Sequence, residues 1–208
     1  AYRRQRQMCI RDSTHIMFAR TVLGVPRHTH VRHFVSTVTR AAVRDTDSAT
    51  GLFYHEAGPG RFALSLLERT PKNASSMAVI GCISPRDGVQ PSVHLRTNPD
   101  DVEINPAFWE ALHSVLREAA PGDGHLQVEA TVRGDGFLHL TDGRSSEVPG
   151  RVSSPDDILA SVGFSEEKII SSTYEPNNMY RFCNGTEGPM QLPERWLKIV
   201  REYIERNE

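Results

Sequence analysis

The residues able to do chemistry fall into a few short clusters. His55 and Glu56 stand just before a Gly58-Pro59-Gly60-Arg61 stretch. An imidazole and a carboxylate at a strand end can move a proton, and a nearby guanidinium can hold an anionic group. His55, Glu56 and Arg61 are therefore the candidate catalytic or binding set. A tight hairpin loop with ordinary surface charges explains the same letters and is the simpler reading. Gly58-Pro59-Gly60 is no phosphate cradle, because Pro59 lacks the N–H such a nest uses. His28, His30 and His33 have H-x-H-x-x-H spacing, but no Cys or carboxylate stands near to complete a metal set. Asp156-Asp157 together with Glu166 and Glu167 could serve a divalent cation; a polar strand start and an acidic turn is the simpler expectation. Cys82 and Cys183 read as small buried thiols. No metal and no cofactor is expected. The chain has no G-x-S-x-G elbow, no phosphate-binding G-x-x-x-x-G-K-[ST] loop and no dinucleotide fingerprint after a strand.

These residues must be positioned by the elements around them. Residues 52–55 and 62–67 read as two strands of a hairpin, with residues 56–61 as its turn. Residues 77–83 form a nearly continuous apolar run, which fits a strand buried on both faces. Residues 92–95 extend a strand. Asn105 is a helix N-cap and Pro106 the first helical residue. Phe108, Trp109, Leu112, Val115, Leu116 and Ala119 then recur at helical spacing, and Pro121-Gly122 ends the helix. Residues 126–132 and 137–140 alternate and are joined at Gly134-Asp135-Gly136, which predicts a second hairpin flanked by His125 and His139. Residues 158–164 and 168–174 predict a third, turning at residues 165–167. Residues 180–183 form a short strand with a turn at Asn184-Gly185. Pro193 opens a last helix with a Trp196, Leu197, Val200, Tyr203, Ile204 stripe. Strand–helix–strand alternation is sparse, which argues against a doubly wound sheet. The expectation is one α+β domain over residues 50–208: a mostly antiparallel sheet with two amphipathic helices packed on it.

Several motifs in the second half carry a resemblance. Val148-Pro149-Gly150-Arg151, Pro155-Asp156-Asp157-Ile158, Thr173-Tyr174-Glu175-Pro176 and Tyr180-Arg181-Phe182-Cys183 stand in that order. Together they resemble an uncharacterised family of fungal proteins. Glu175 replaces a glutamine and Phe182 a leucine of that pattern. The resemblance implies a fungal origin and brings no catalytic residues with it.

The start of the chain has a different character. Residues 3–12 read RRQRQMCIRD, which resembles a translated sequencing adapter, so residues 1–13 are set aside and Met17 is the expected start. Residues 17–44 hold five arginines and no acid. An Arg-rich, hydroxyl-rich, acid-free N-terminal segment is the composition of a mitochondrial transit peptide. Arg32-His33-Phe34-Val35-Ser36-Thr37 matches a two-step matrix-processing pattern, which places the transit peptide at residues 17–41 and the mature start near Ala42. Residues 1–41 contain eight arginines and a single acid, Asp12, so the remaining chain has 16 basic and 25 acidic residues and a net charge of −9. An acidic body does not neutralise phosphates, so no nucleic-acid partner is expected. No apolar run of eighteen residues exists, so no membrane insertion is expected.

These readings predict a mitochondrial matrix accessory or assembly protein that acts by protein binding, through a sheet face or the Trp109 and Trp196 helices. The oligomeric state is left open. The alternative is a small-molecule enzyme or ligand carrier with a pocket around His55, Glu56 and Arg61.

Overall fold

The computed structural model describes residues 41–144 and 154–208. The adapter-like stretch, the three clustered histidines and residues 17–40 of the expected transit peptide lie outside the described residues.

Strands β1 (Val43–Arg44), β2 (Phe53–Gly58), β3 (Arg61–Ser65), β4 (Val79–Ile83) and β5 (Glu103–Ile104) form one antiparallel sheet in sequential order. Every residue of β4 is buried, as its unbroken apolar run predicts. Strands β6 (Gly136–Thr141), β7 (Ile158–Ser165) and β8 (Lys168–Pro176) form a second antiparallel sheet. A short hairpin pairs β9 (Cys183–Asn184) with β10 (Gly188–Pro189). The α+β class is as expected, with four α-helices among the described residues instead of two.

The two additional helices correct the sequence reading. Helix α1 (Pro91–Thr97) occupies the stretch expected to extend a strand, with Pro91 in its first turn. Helix α3 (Gly124–Arg133) occupies the stretch expected as a hairpin arm. Its start is fixed by Asp123, whose carboxylate accepts hydrogen bonds from the His125 and Leu126 N–H groups. Only Leu126 and Ala130 are buried there, four residues apart, while Val128 and Val132 point outward.

Helix α2 (Pro106–Ala119) matches its expected start, with the Asn105 side chain accepting from the Ala107 N–H. The Asn105 amide also donates to the Ser76 and Val79 carbonyls, which ties this cap to the entry of β4. Helix α2 packs against α4 (Glu194–Asn207), β4 and β8, so it joins the two sheets. One hydrophobic core therefore runs from Leu52, Tyr54 and Leu64 of the first sheet through Phe108 and Leu112 to Leu138, Leu140 and Val162 of the second. Helix α4 buries Trp196, Val200 and Ile204 in that core. The Trp196 indole N–H donates to the Asp123 carboxylate at 2.7 Å, and Arg195 Nε donates to the same oxygen. Asp123 thus starts α3 and anchors α4. Burial pushes its carboxyl up, but the Arg195, Leu126 and Trp196 hydrogen bonds outweigh that and lower its pKa.

Candidate functional site

The structure places the expected set on both faces of the first sheet. His55 pairs with Ala63, and Ala63 with Cys82, which in turn faces Glu103. Arg61, two residues before Ala63 on β3, lies on that same face. Arg61 Nη2 donates to the Glu103 carboxylate at 2.5 Å and lies beside the Cys82 thiol. Glu56 is the next residue after His55 on a strand, so it points to the opposite face. His55 is 2% exposed, and one ring nitrogen bonds the Leu67 carbonyl at 2.9 Å. Burial lowers its pKa, which keeps the ring neutral. His55 and Arg61 therefore share a face, Glu56 does not join them, and His55 is held as a buried neutral ring.

The remaining candidates separate as well. Asp156 and Asp157 precede β7, whereas Glu166 and Glu167 form the turn after it, about 25 Å away along the strand. Among the described residues no group of three His, Cys, Asp or Glu side chains comes together to hold a metal ion. Cys82 and Cys183 are both buried and free, and Cys183 donates to the Leu95 carbonyl. Burial pushes the Cys183 thiol up to about 11, the condition of an inert thiol. Trp196 is buried beneath α4, and the Trp109 ring packs on Phe108, Tyr180 and Phe182. Trp196 is therefore a core residue, and Trp109 is partly buried.

Asp157 instead joins a buried ionic network. The Arg144 side chain is wholly buried, with Nε 2.7 Å from the Asp142 carboxylate and Nη2 3.1 Å from that of Asp157. Its remaining donors reach the Asp156, Arg181 and Gly188 carbonyls. Its guanidinium lies over the Tyr180 ring, and the Tyr180 hydroxyl donates to Asp142 at 2.9 Å. The two Nη groups bond the protein itself, so the network clamps the start of β7 to the β9–β10 hairpin.

The outer face of the second sheet is where chemistry-bearing side chains do meet solvent. His139 on β6 pairs with Ser161 on β7, and Ser161 with Glu175 on β8. The three form one row across three strands. His139 Nδ1 and Ser161 Oγ are 2.9 Å apart. The row lines an open cleft of about 390 Å³, whose other walls include Pro155, Ile158 and Pro176. Asn177 closes one end, with its amide donating to the Pro155 and Ile158 carbonyls. The next row is apolar: Phe137 pairs with Gly163, and Gly163 with Ile170. Phe137 is 59% exposed and Ile170 38%. Gly163 is required here, because an added Cβ would stand 2.8 Å from Thr173 Oγ1, which accepts the Gly163 N–H and donates to the Ile170 carbonyl. Thr173 thereby plugs the irregular register between β7 and β8.

The row contains a serine, a histidine and an acid, but in an order unsuited to acyl transfer. The carboxylate flanks the serine instead of the histidine. It would oppose an oxyanion and cannot orient the imidazole. Ser161 sits within a strand, where the backbone N–H groups serve the ladders and are not gathered into an oxyanion hole. The arrangement fits binding. The alternation of Phe137 and His139 with Leu138 and Leu140 marks one strand of this face, but does not show its partners on β7 and β8. No family model, no curated protein and no solved structure matches this chain.

Proposed function

We propose that this protein is an accessory or assembly factor of the mitochondrial matrix that acts by binding another protein through the outer face of β6, β7 and β8. The observation that carries the reading is the pair of adjacent rows on that face. An exposed aromatic and an exposed aliphatic residue flank the buried Gly163, beside a polar row that opens into a cleft. Apolar centre and polar edge is the make-up of a protein contact surface. The matrix location rests on the acid-free, arginine-rich composition of residues 17–41 and on the processing pattern within it.

The test is expression of the tagged full chain in a fungal cell, followed by fractionation and N-terminal sequencing. The expected product is in the matrix and begins near Ala42. A partner recovered in constant ratio with the wild type, identified and purified, should bind it in solution. Phe137→Asp should weaken that binding at least tenfold with an unchanged unfolding temperature. An unprocessed cytosolic product overturns the location. Equal binding by the Phe137→Asp variant overturns the surface.

A further inference from the structure

The cleft beside the apolar row has a chemistry of its own. It is lined by the His139–Ser161–Glu175 row, by Pro155, Ile158 and Pro176, and by the Asn177 and Asn178 amides. Among the described residues lining it, Glu175 is the one of formal charge, and none is Lys or Arg. Ser161 offers hydroxyl lone pairs. His139 Nδ1 is engaged by Ser161, and when Nδ1 carries the ring proton, Nε2 is left as an acceptor. Asn177 adds nothing to the ligand side, since its amide N–H groups serve the Pro155 and Ile158 carbonyls and its oxygen accepts the Met179 N–H. The ionic neighbours are spent elsewhere: Arg181 pairs with Asp100, and Arg144 is enclosed by Asp142 and Asp157. An anionic ligand would meet the Glu175 carboxylate with no cation among the described lining residues to offset it. A neutral apolar ligand would leave that carboxylate without a partner. A cation on an aliphatic stem satisfies both parts of the cleft, its charge on the acceptor row and its methylenes along Pro155, Ile158 and Pro176.

We propose that the cleft at the His139–Ser161–Glu175 row receives an arginine side chain of the bound partner protein. This rests on the reading of the outer sheet face as a protein-binding surface. Arginine is preferred to lysine because its planar guanidinium can meet a carboxylate with two parallel hydrogen bonds and is more weakly hydrated than an ammonium group. The wider charge balance agrees: from Ala42 onward the chain carries a net charge of −9, which favours approach of a basic segment. The volume of about 390 Å³ accommodates one long side chain and its flanking backbone.

The test titrates isotope-labelled full chain with N-acetyl-arginine amide, N-acetyl-lysine amide and N-acetyl-norleucine amide, following backbone amide resonances. The expected result is saturable, millimolar binding of the arginine compound, with shifts at Ser161, Glu175 and Asn178. Binding of the lysine compound should be at least threefold weaker, and the norleucine compound should leave those resonances in place. Glu175→Gln should weaken arginine binding about fivefold. Shifts elsewhere only, equal response to lysine or norleucine, or undiminished binding by Glu175→Gln would each overturn the proposal. A protein partner that needs Phe137 but tolerates Glu175→Gln would leave the docking face standing and remove only its arginine.

Discussion

Asp142 shows how burial decides the behaviour of a single side chain. It lies against the Arg144 guanidinium and accepts from Tyr180, both of which favour the carboxylate. Burial outweighs them and pushes the carboxyl up to about 6 from its ordinary 3.8. A carboxyl raised in this way holds its proton more tightly in the folded state than in the unfolded chain. Its contribution to stability is complete below about pH 4 and is lost as pH rises through about 6. His55 and His113 act in the opposite sense, since burial lowers both and stability is gained as pH rises through the imidazole range. The wild-type pH slope therefore mixes two signs, and Asp142→Asn isolates one. The stability of wild type minus that of Asp142→Asn should fall by roughly 2 kcal/mol between pH 4.5 and 7.5, as read from urea unfolding at both values. A constant difference would mean that Asp142 holds the same protonation state throughout.

Local signals at the level of elements explain what was legible. The α2 start was readable because Asn105, Pro106 and a helical apolar repeat agree with one another. The β2–β3 and β7–β8 hairpins were readable because turn residues separate two apolar runs. Residues 124–133 were not, because Leu126, Val128, Ala130 and Val132 satisfy a strand period while Leu126 and Ala130 alone satisfy a helical one. The tertiary cap from Asp123 and its bonds to α4 settle the matter. The His139–Ser161–Glu175 row was beyond local reasoning, because the β6–β7 register spans a long connection and a one-residue slip would place each side chain on the other face. The β7–β8 turn is the element with room for improvement. Glu166 and Glu167 have φ of +50° and +63°, values that favour Asn-Gly in a two-residue hairpin. Asp135 supports the turn by accepting from the Ser165 hydroxyl and the Glu166 N–H. Replacing Glu166-Glu167 by Asn-Gly keeps those backbone bonds and should raise stability by about 1 kcal/mol, seen as a higher melting temperature. A lower one would show that the glutamate side chains contribute contacts that outweigh the backbone strain.

At the scale of the whole molecule, the proposed docking face is rigid only if the two sheets fold together. They pair no strands with each other, so their coupling has to come through side chains. Helix α2 supplies it. Phe108 and Leu112 are almost completely buried in a core that includes Leu64 and Ile80 of the first sheet and Leu138 and Val162 of the second. Arg201 on α4 adds a polar tie to the first sheet, donating to the Leu66 and Gly51 carbonyls. Trp196 on the same helix reaches Asp123 at the start of α3, which packs on β6 and β8. A cavity at Leu112 therefore weakens both sheets at once. Leu112→Ala should cost about 3 kcal/mol, with one cooperative calorimetric transition retained and with hydrogen-exchange protection lost equally in β3 and β7. Loss confined to β3 would divide the molecule into two independently stable halves. The Phe137 and His139 rows would then be held by the second sheet and α3 alone, and a partner bound there would stabilise only that half.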